Sequence, residues 1–323
     1  MARIDAPAAA TPARLPWIDA LRGVAILAMI VYHFAWDLHF FGFIAADVTG
    51  ALGWRAFARS IAGSFLALVG ISLVLATRHG LDGRRFLRRL AIIAAAAAAV
   101  TAATYVAMPD AYVFFGILHA IAVSSVLGLA FVHAPVLIVI AAALFCFAAP
   151  ALLSGPVFDA PPLLWLGLST YIPRSNDYVP VFPWFGVVLV GIAVARLLLH
   201  FRPGWLHLLA RPAAPSLVWA GRHSLAIYLL HQPILIGLVY LVAQIAPPTP
   251  LGLVDSHFNN CIVQCTDQGM QQGFCGRACG CLTERAEAEG LTADVLANSL
   301  GEAEMRRYFD IGFGCREEAA GAQ

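Results

Sequence analysis

This sequence predicts an all-α, polytopic membrane bundle of about seven helices followed by a small cysteine-rich helical module, and three observations predict it. Of its 323 residues, 60% are hydrophobic and only 12% are charged, about half the charged share of an average soluble domain. Apolar stretches of about 20 residues, enough to cross a bilayer as a helix, recur as far as Ala246. After Pro250 the composition turns polar, and six of the seven cysteines fall between Cys261 and Cys315.

Taken in order, the candidate spans run near Ile18 to Phe43, Phe57 to Ala76, Phe86 to Ala107, Ala111 to Val132, Pro135 to Leu153, Val181 to His200 and Gly221 to Ala246. The first has the apolar run of a signal peptide at Val24 to Tyr32, but His33, Asp37 and His39 interrupt its continuation and no A-x-A cleavage site comes after, so it is read as a retained helix. Leu163 to Ile172 is too short to span and follows Pro161 and Pro162, which suits a re-entrant or interfacial piece. Trp205 to Val218 is interrupted by prolines and reads as a surface segment. The chain thus divides into a tail over 1–16, a transmembrane domain over 17–246 and a cysteine-rich tail over 251–323.

Every one of the 20 basic residues is arginine, and cytoplasmic loops collect positive charge. Arg78, Arg84, Arg85, Arg88 and Arg89 lie between the second and third spans, and Arg196, Arg202, Arg211 and Arg222 between the sixth and seventh. With Arg3 and Arg14 they place the N-terminus inside and the cysteine-rich tail outside, as in a bacterial inner membrane with a periplasmic C-terminus. A net charge of +1 offers nothing to nucleic acid; the expected partners are membrane lipid, the substrate and a second copy of the chain.

The tail reads Cys261-x3-Cys265, nine residues, Cys275-x3-Cys279, then Cys281 and Cys315. C-x3-C places two thiols one helical turn apart. An antiparallel hairpin would staple Cys261 to Cys279 and Cys265 to Cys275 and leave Cys281 for Cys315. An oxidising compartment permits this and a module with little core needs it. Six cysteines allow 15 pairings, and a zinc site is the alternative if the tail lies inside; the expectation is disulfides and no metal.

Ionisable groups at membrane depth mark function by default. His33 lies about 16 Å along the first helix from Arg22, near the middle of a core about 30 Å thick. Asp37 follows one turn later on the same face, where a carboxylate can orient an imidazole base. His119 and His231 arrive at similar depth on their own helices, which suggests one shared cavity. His119 also reads as packing glue between helices. Pro233 after His231 and Gln232 kinks the last span. Trp17 and Trp54 read as interfacial belt residues, and His39 and His257 as exposed.

The segment IDALRGVAILAMIVYHFAWDL at Ile18 to Leu38 resembles the opening helix of the heparan-α-glucosaminide N-acetyltransferase catalytic-domain family in its bacterial form. FFGILHAIAVSS from Phe114, NDYVPVFPWFGVVLVGIAVAR from Asn176 and HSLAIYLLHQP from His223 match it in the same order, while the tail has no counterpart. The resemblance implies an acyltransferase that passes an acetyl group from cytoplasmic acetyl-CoA to an extracytoplasmic sugar, with Arg22 of the Asp-x-x-Arg-Gly motif, His33 and Asp37 in the reaction. The opening motif is also similar to membrane O-acyltransferases of bacterial polysaccharides, so an amine or a hydroxyl can be the acceptor. Catalysis is assigned to His33, Asp37, His119 and His231. Phosphate binding falls to Arg22, Arg84, Arg85, Arg88 and Arg89, which the topology signal also explains, and sugar binding to Asp177, Tyr178 and Trp184. The rival classes are a secondary transporter or flippase, which would show repeats and matched broken helices, and an anchor presenting the tail.

Overall fold

The computed structural model describes residues 15–44, 46–246, 250–296 and 300–321. Arg3 and Arg14, and most of the expected 1–16 tail, lie outside the described residues. The chain forms thirteen α-helices among the described residues: α1 (Pro16–Phe40), α2 (Leu52–Thr77), α3 (Gly83–Ala107), α4 (Ile117–Leu129), α5 (Val136–Leu153), α6 (Val181–Phe201), α7 (Trp205–Leu209), α8 (Pro215–Arg222), α9 (Ser224–Ile245), α10 (Pro250–Asp267), α11 (Gln272–Ala288), α12 (Thr292–Leu296) and α13 (Glu302–Gly321). Six of them, α1, α2, α3, α5, α6 and α9, are long and apolar enough to cross a membrane. They carry large apolar side chains on the outside, as a bilayer rather than water would favour: Val106 is 83% exposed and Leu137 78%.

The fourth expected span is shorter than its apolar stretch. Ala111 to Val132 yields only α4, of 13 residues, about 20 Å long. The residues before it run extended instead: Phe115 bridges to Tyr178 in parallel, and Asn176 and Val179 donate to the carbonyls of Ala111 and Phe115 at 2.9 and 3.0 Å. Pro109 stops helical continuation, and the Thr104 hydroxyl takes the Val113 amide at 2.9 Å, so the backbone groups lost to a helix are satisfied elsewhere. The short piece expected near Leu163 becomes a 3-10 turn over Pro161–Leu166. Trp205 to Val218 breaks into α7 and the start of α8.

Two compact units emerge from the contacts. The first comprises Met1–Leu27 and Ala62–Leu229. Its core brings Leu66, Val69 and Leu73 of α2 onto Phe185, Val188, Leu189 and Ile192 of α6, with Val139 and Ala143 of α5 alongside. Close approach of α2 and α6 depends on glycine, as expected where lipid supplies no hydrophobic drive and packing must. A Cβ at Gly70 would strike the Val188 carbonyl, and one at Gly191 the Ala67 carbonyl. Gly191→Leu is therefore expected to destabilise this unit by about 1–3 kcal/mol, the usual cost of overpacking, read as a lowered thermal midpoint in detergent. The Arg196 guanidinium at the other end of α6 donates to the Ala134 carbonyl before α5.

The second unit comprises Ala28–Ile61 and Leu230–Gln323. Within it α10 and α11 form the antiparallel hairpin, joined by Cys261–Cys279 and Cys265–Cys275. Cys281–Cys315 ties α11 to α13. These are the pairings the C-x3-C spacing favours, and with all six thiols consumed the zinc alternative falls away. The module exceeds a hairpin, because α12 and α13 complete it. Its polar centre is His257, whose Nδ1 meets the Thr283 hydroxyl at 3.1 Å and whose Nε2 meets the Tyr308 hydroxyl at 2.8 Å. His257 is 3% exposed and His39 2%, so neither lies on the surface as expected. In His257 two hydroxyls replace water, and burial holds the imidazole below its ordinary titration range.

Candidate functional site

His33 and Asp37 stand on one face of α1, and His231 and Gln232 follow each other on α9. The second unit brings these four together. The His33 and His231 rings meet edge to face with centroids 4.8 Å apart, and His231 is 8% exposed. Asp37 is wholly buried. Its Oδ1 accepts from the Gln232 amide at 2.7 Å, and its Oδ2 has no hydrogen-bond partner among the described residues.

This corrects the expected arrangement in one respect. Among the described residues no hydrogen bond joins Asp37 to His33; the carboxylate is held from α9 instead. A buried carboxylate needs a donor, and the Gln232 side chain reaches it. Sequence reasoning misses Gln232, although an amide beside a histidine in an apolar span is the signal that finds it. The cluster thus offers two imidazoles in contact and one carboxylate oxygen without a partner, a set able to accept and pass a proton.

His119, the third histidine, has a different geometry. It sits in the first turn of α4, where its Nδ1 accepts the Gly116 amide at 3.2 Å. Its Nε2 meets the Thr101 hydroxyl at 3.3 Å, and that hydroxyl donates to the Val113 carbonyl at 2.6 Å. With Nδ1 accepting, the proton belongs on Nε2, and both ring nitrogens are engaged. The geometry makes His119 a cap for α4 that also ties it to α3.

Asp177 completes the same helix end. Its Oδ2 accepts from the Ile117 amide at 2.8 Å and from the Tyr228 hydroxyl at 3.4 Å, joining the loop before α6 to α4 and α9. Desolvation pushes its carboxyl above the usual range, and these two donors oppose the shift. Asp177→Ala strips the cap and leaves the Ile117 amide orphaned; the expected cost is about 1–3 kcal/mol, measured as loss of protection at Ile117 and Leu118 in hydrogen exchange. Beside it the Tyr178 hydroxyl donates to the Leu164 carbonyl at 2.6 Å, and its pKa is pushed up to about 12, by burial first and by Tyr171 second. Trp184 is half-buried and packs on the core of α6.

The Asp-x-x-Arg-Gly motif has its own structure in the first unit. Asp19 accepts from Arg22 at 3.1 Å and lies 3.5 Å from the Arg222 guanidinium, and Arg22 also donates to the Ser72 hydroxyl at 2.6 Å. The Asp19 carboxylate thereby joins α1 to α8, and the Arg22 guanidinium joins α1 to α2. The glycine of the motif serves the same junction, because a Cβ at Gly23 would strike the Leu217 carbonyl, and one at Gly221 the Asp19 carbonyl. Arg84, Arg85, Arg88 and Arg89 are exposed on the first turns of α3. Arg85 lies 3.6 Å from Asp82, whose side chain caps α3 by accepting the Arg85 amide at 3.1 Å. Among the described residues Arg84, Arg88 and Arg89 take no carboxylate.

The profile of the family described as heparan-alpha-glucosaminide N-acetyltransferase, catalytic, matches residues 14–233. The chain belongs to this family. It is thus an acetyltransferase-family protein with six helices long and apolar enough to cross a membrane among its described residues. No curated protein and no solved structure matches the chain. The family region contains the Asp19 junction, His33, Asp37, His119, Asp177, His231 and Gln232, and it ends as the α9 proline, Pro233, is reached. The disulfide module lies beyond it.

Proposed function

We propose that this acetyltransferase-family chain moves an acetyl group from cytoplasmic acetyl-CoA to an amino or hydroxyl group of an extracytoplasmic sugar, as a multi-pass protein of a bacterial inner membrane. The observation that carries the reading is the contact of His33 with His231 beside the Asp37–Gln232 pair. An acceptor amine or alcohol must lose a proton as its lone pair attacks the thioester carbonyl. A neutral imidazole can take that proton. As the tetrahedral centre collapses the C–S bond breaks, and the imidazolium returns the proton to the leaving thiolate. His33 is the base in this scheme, and His231 and Asp37 hold or relay the proton.

Arg22 and the α3 arginines Arg84, Arg85, Arg88 and Arg89 are assigned to the phosphates of CoA, since guanidinium forks match phosphate oxygens. Asp177, Tyr178 and Trp184 are assigned to the acceptor side, where hydroxyls and an indole face suit a sugar; their roles in holding α4 and α6 are compatible with that. His119 is proposed to contribute by fixing the first turn of α4.

The test is to incubate the purified protein in vesicles with labelled acetyl-CoA and a series of amino sugars and neutral sugars. Acceptor-dependent transfer of label is expected, and CoA release that ignores the acceptor would refute the reading. Gln232→Leu removes the donor to Asp37 at nearly constant volume. It is expected to slow transfer at least tenfold and to change the pH profile of the rate, as a positioning residue should; an unchanged pH profile would leave Gln232 with a purely structural role.

A further inference from the structure

The module of α10 to α13 carries an open cleft of about 460 Å³, within the range of small-molecule sites. Its wall is mainly apolar. Phe274 and Leu282 come from α11, Val295 and Leu296 from α12, and Phe309 and Phe313 from α13. In a segment otherwise rich in charged residues, Phe309 is 57% exposed and Phe313 66%. They stand one turn apart on one face. Aromatic side chains left open in this way on a rim mark a contact surface.

Three further observations narrow the occupant. Cys261, Cys265 and Cys279 are part of the wall, so two disulfides brace the cleft and it is preformed. Phe40, the last residue of the membrane helix α1, also lines it, which makes the apolar wall continuous with the end of a span. Arg316 supplies a guanidinium to the lining, without a carboxylate partner among the described residues. His257 and Tyr308 are lining residues too, but they are engaged with each other.

We propose that this cleft binds an anionic amphiphile, with its hydrocarbon chain among Phe274, Phe309 and Phe313 and its head group on Arg316. Apart from Phe40, the lining lies beyond the family region, and the site does not depend on acetyl transfer. Carboxylate and phosphate heads share the chemistry Arg316 recognises, and the test separates them.

The full chain is placed in phosphatidylcholine vesicles with a trace of diazirine-bearing fatty acid, diazirine-bearing phosphatidic acid or diazirine-bearing fatty alcohol, then illuminated and mapped by mass spectrometry. Adducts are expected on peptides holding Phe274, Phe309 or Phe313. Phe313→Asp should reduce them at least tenfold without changing labelling of the spans. Arg316→Ala should reduce labelling by one or both anionic probes severalfold and spare the alcohol, and the anionic probe that responds names the head group. Intact disulfides, read by alkylation of free thiols, certify each variant; Phe309→Ser replaces Phe313→Asp if the latter loses them. Adducts confined to the spans, or unchanged in a disulfide-intact variant, would overturn the site. Equal loss of all three probes in Arg316→Ala would overturn its anionic half.

Discussion

His33→Ala is expected to slow acetyl transfer about a hundred- to ten-thousand-fold, the range a positioned general base contributes, while the protein keeps its thermal midpoint. The imidazole is half-buried in α1 with its ring against His231, and among the described residues it makes no hydrogen bond whose loss would orphan a partner. Alanine is a good helix former, so α1 survives. The proton would then have to leave through His231 or Asp37, which Gln232 already engages. His33→Gln keeps the volume and a polar head but cannot titrate; it should be as slow as the alanine variant. Transfer within tenfold of wild type in both variants would remove His33 from the reaction.

Reduction of the three disulfides is expected to unfold the α10–α13 module while leaving the spans helical. Closed loops of 10, 18 and 34 residues constrain the unfolded chain by about 2.7, 3.2 and 3.8 kcal/mol on the loop-entropy relation. Together that is about 10 kcal/mol, comparable to the whole stability of an ordinary domain. Little else in the module would compensate: the Arg285–Glu318 pair at 2.7 Å is about half exposed, and such pairs contribute about 1 kcal/mol or less. The paired Cys281→Ser and Cys315→Ser substitution, which opens the longest loop, should cost most among single-bond removals. Limited proteolysis with and without reductant reads both effects; a reduced module as resistant as the oxidised one would show that the His257 network and core suffice.

Much of this architecture was legible in the sequence because the bilayer imposes a length and a polarity on each helix. α1, α2, α3, α5, α6 and α9 fall where the apolar stretches lie. Helical period did the same for the cysteines, since C-x3-C puts both thiols on one face and an antiparallel hairpin then leaves few pairings. Where a stretch was apolar but not helical, polarity misled: Tyr112 to Phe115 has the composition of a span, yet its amides and carbonyls go to Thr104 and the chain around Tyr178. The burial of His39 at the end of α1 and of His257 within α10 was hidden for a related reason, because a histidine gives no sign in the sequence of the segments that enclose it.

The sequence by itself determined which segments leave water, which side chains are too polar to sit in hydrocarbon without a purpose, and which thiols can face one another. Tertiary structure alone decided who partners whom. Gln232 reaches Asp37 across 195 positions, Arg222 reaches Asp19 across 203, and Ile117 donates to Asp177 across 60. Hydrophobic burial is non-directional and averages over a whole segment, so a pattern of residue types reports it. A hydrogen bond is settled within about 3 Å between particular atoms, and distant segments come that close only after the helices have packed.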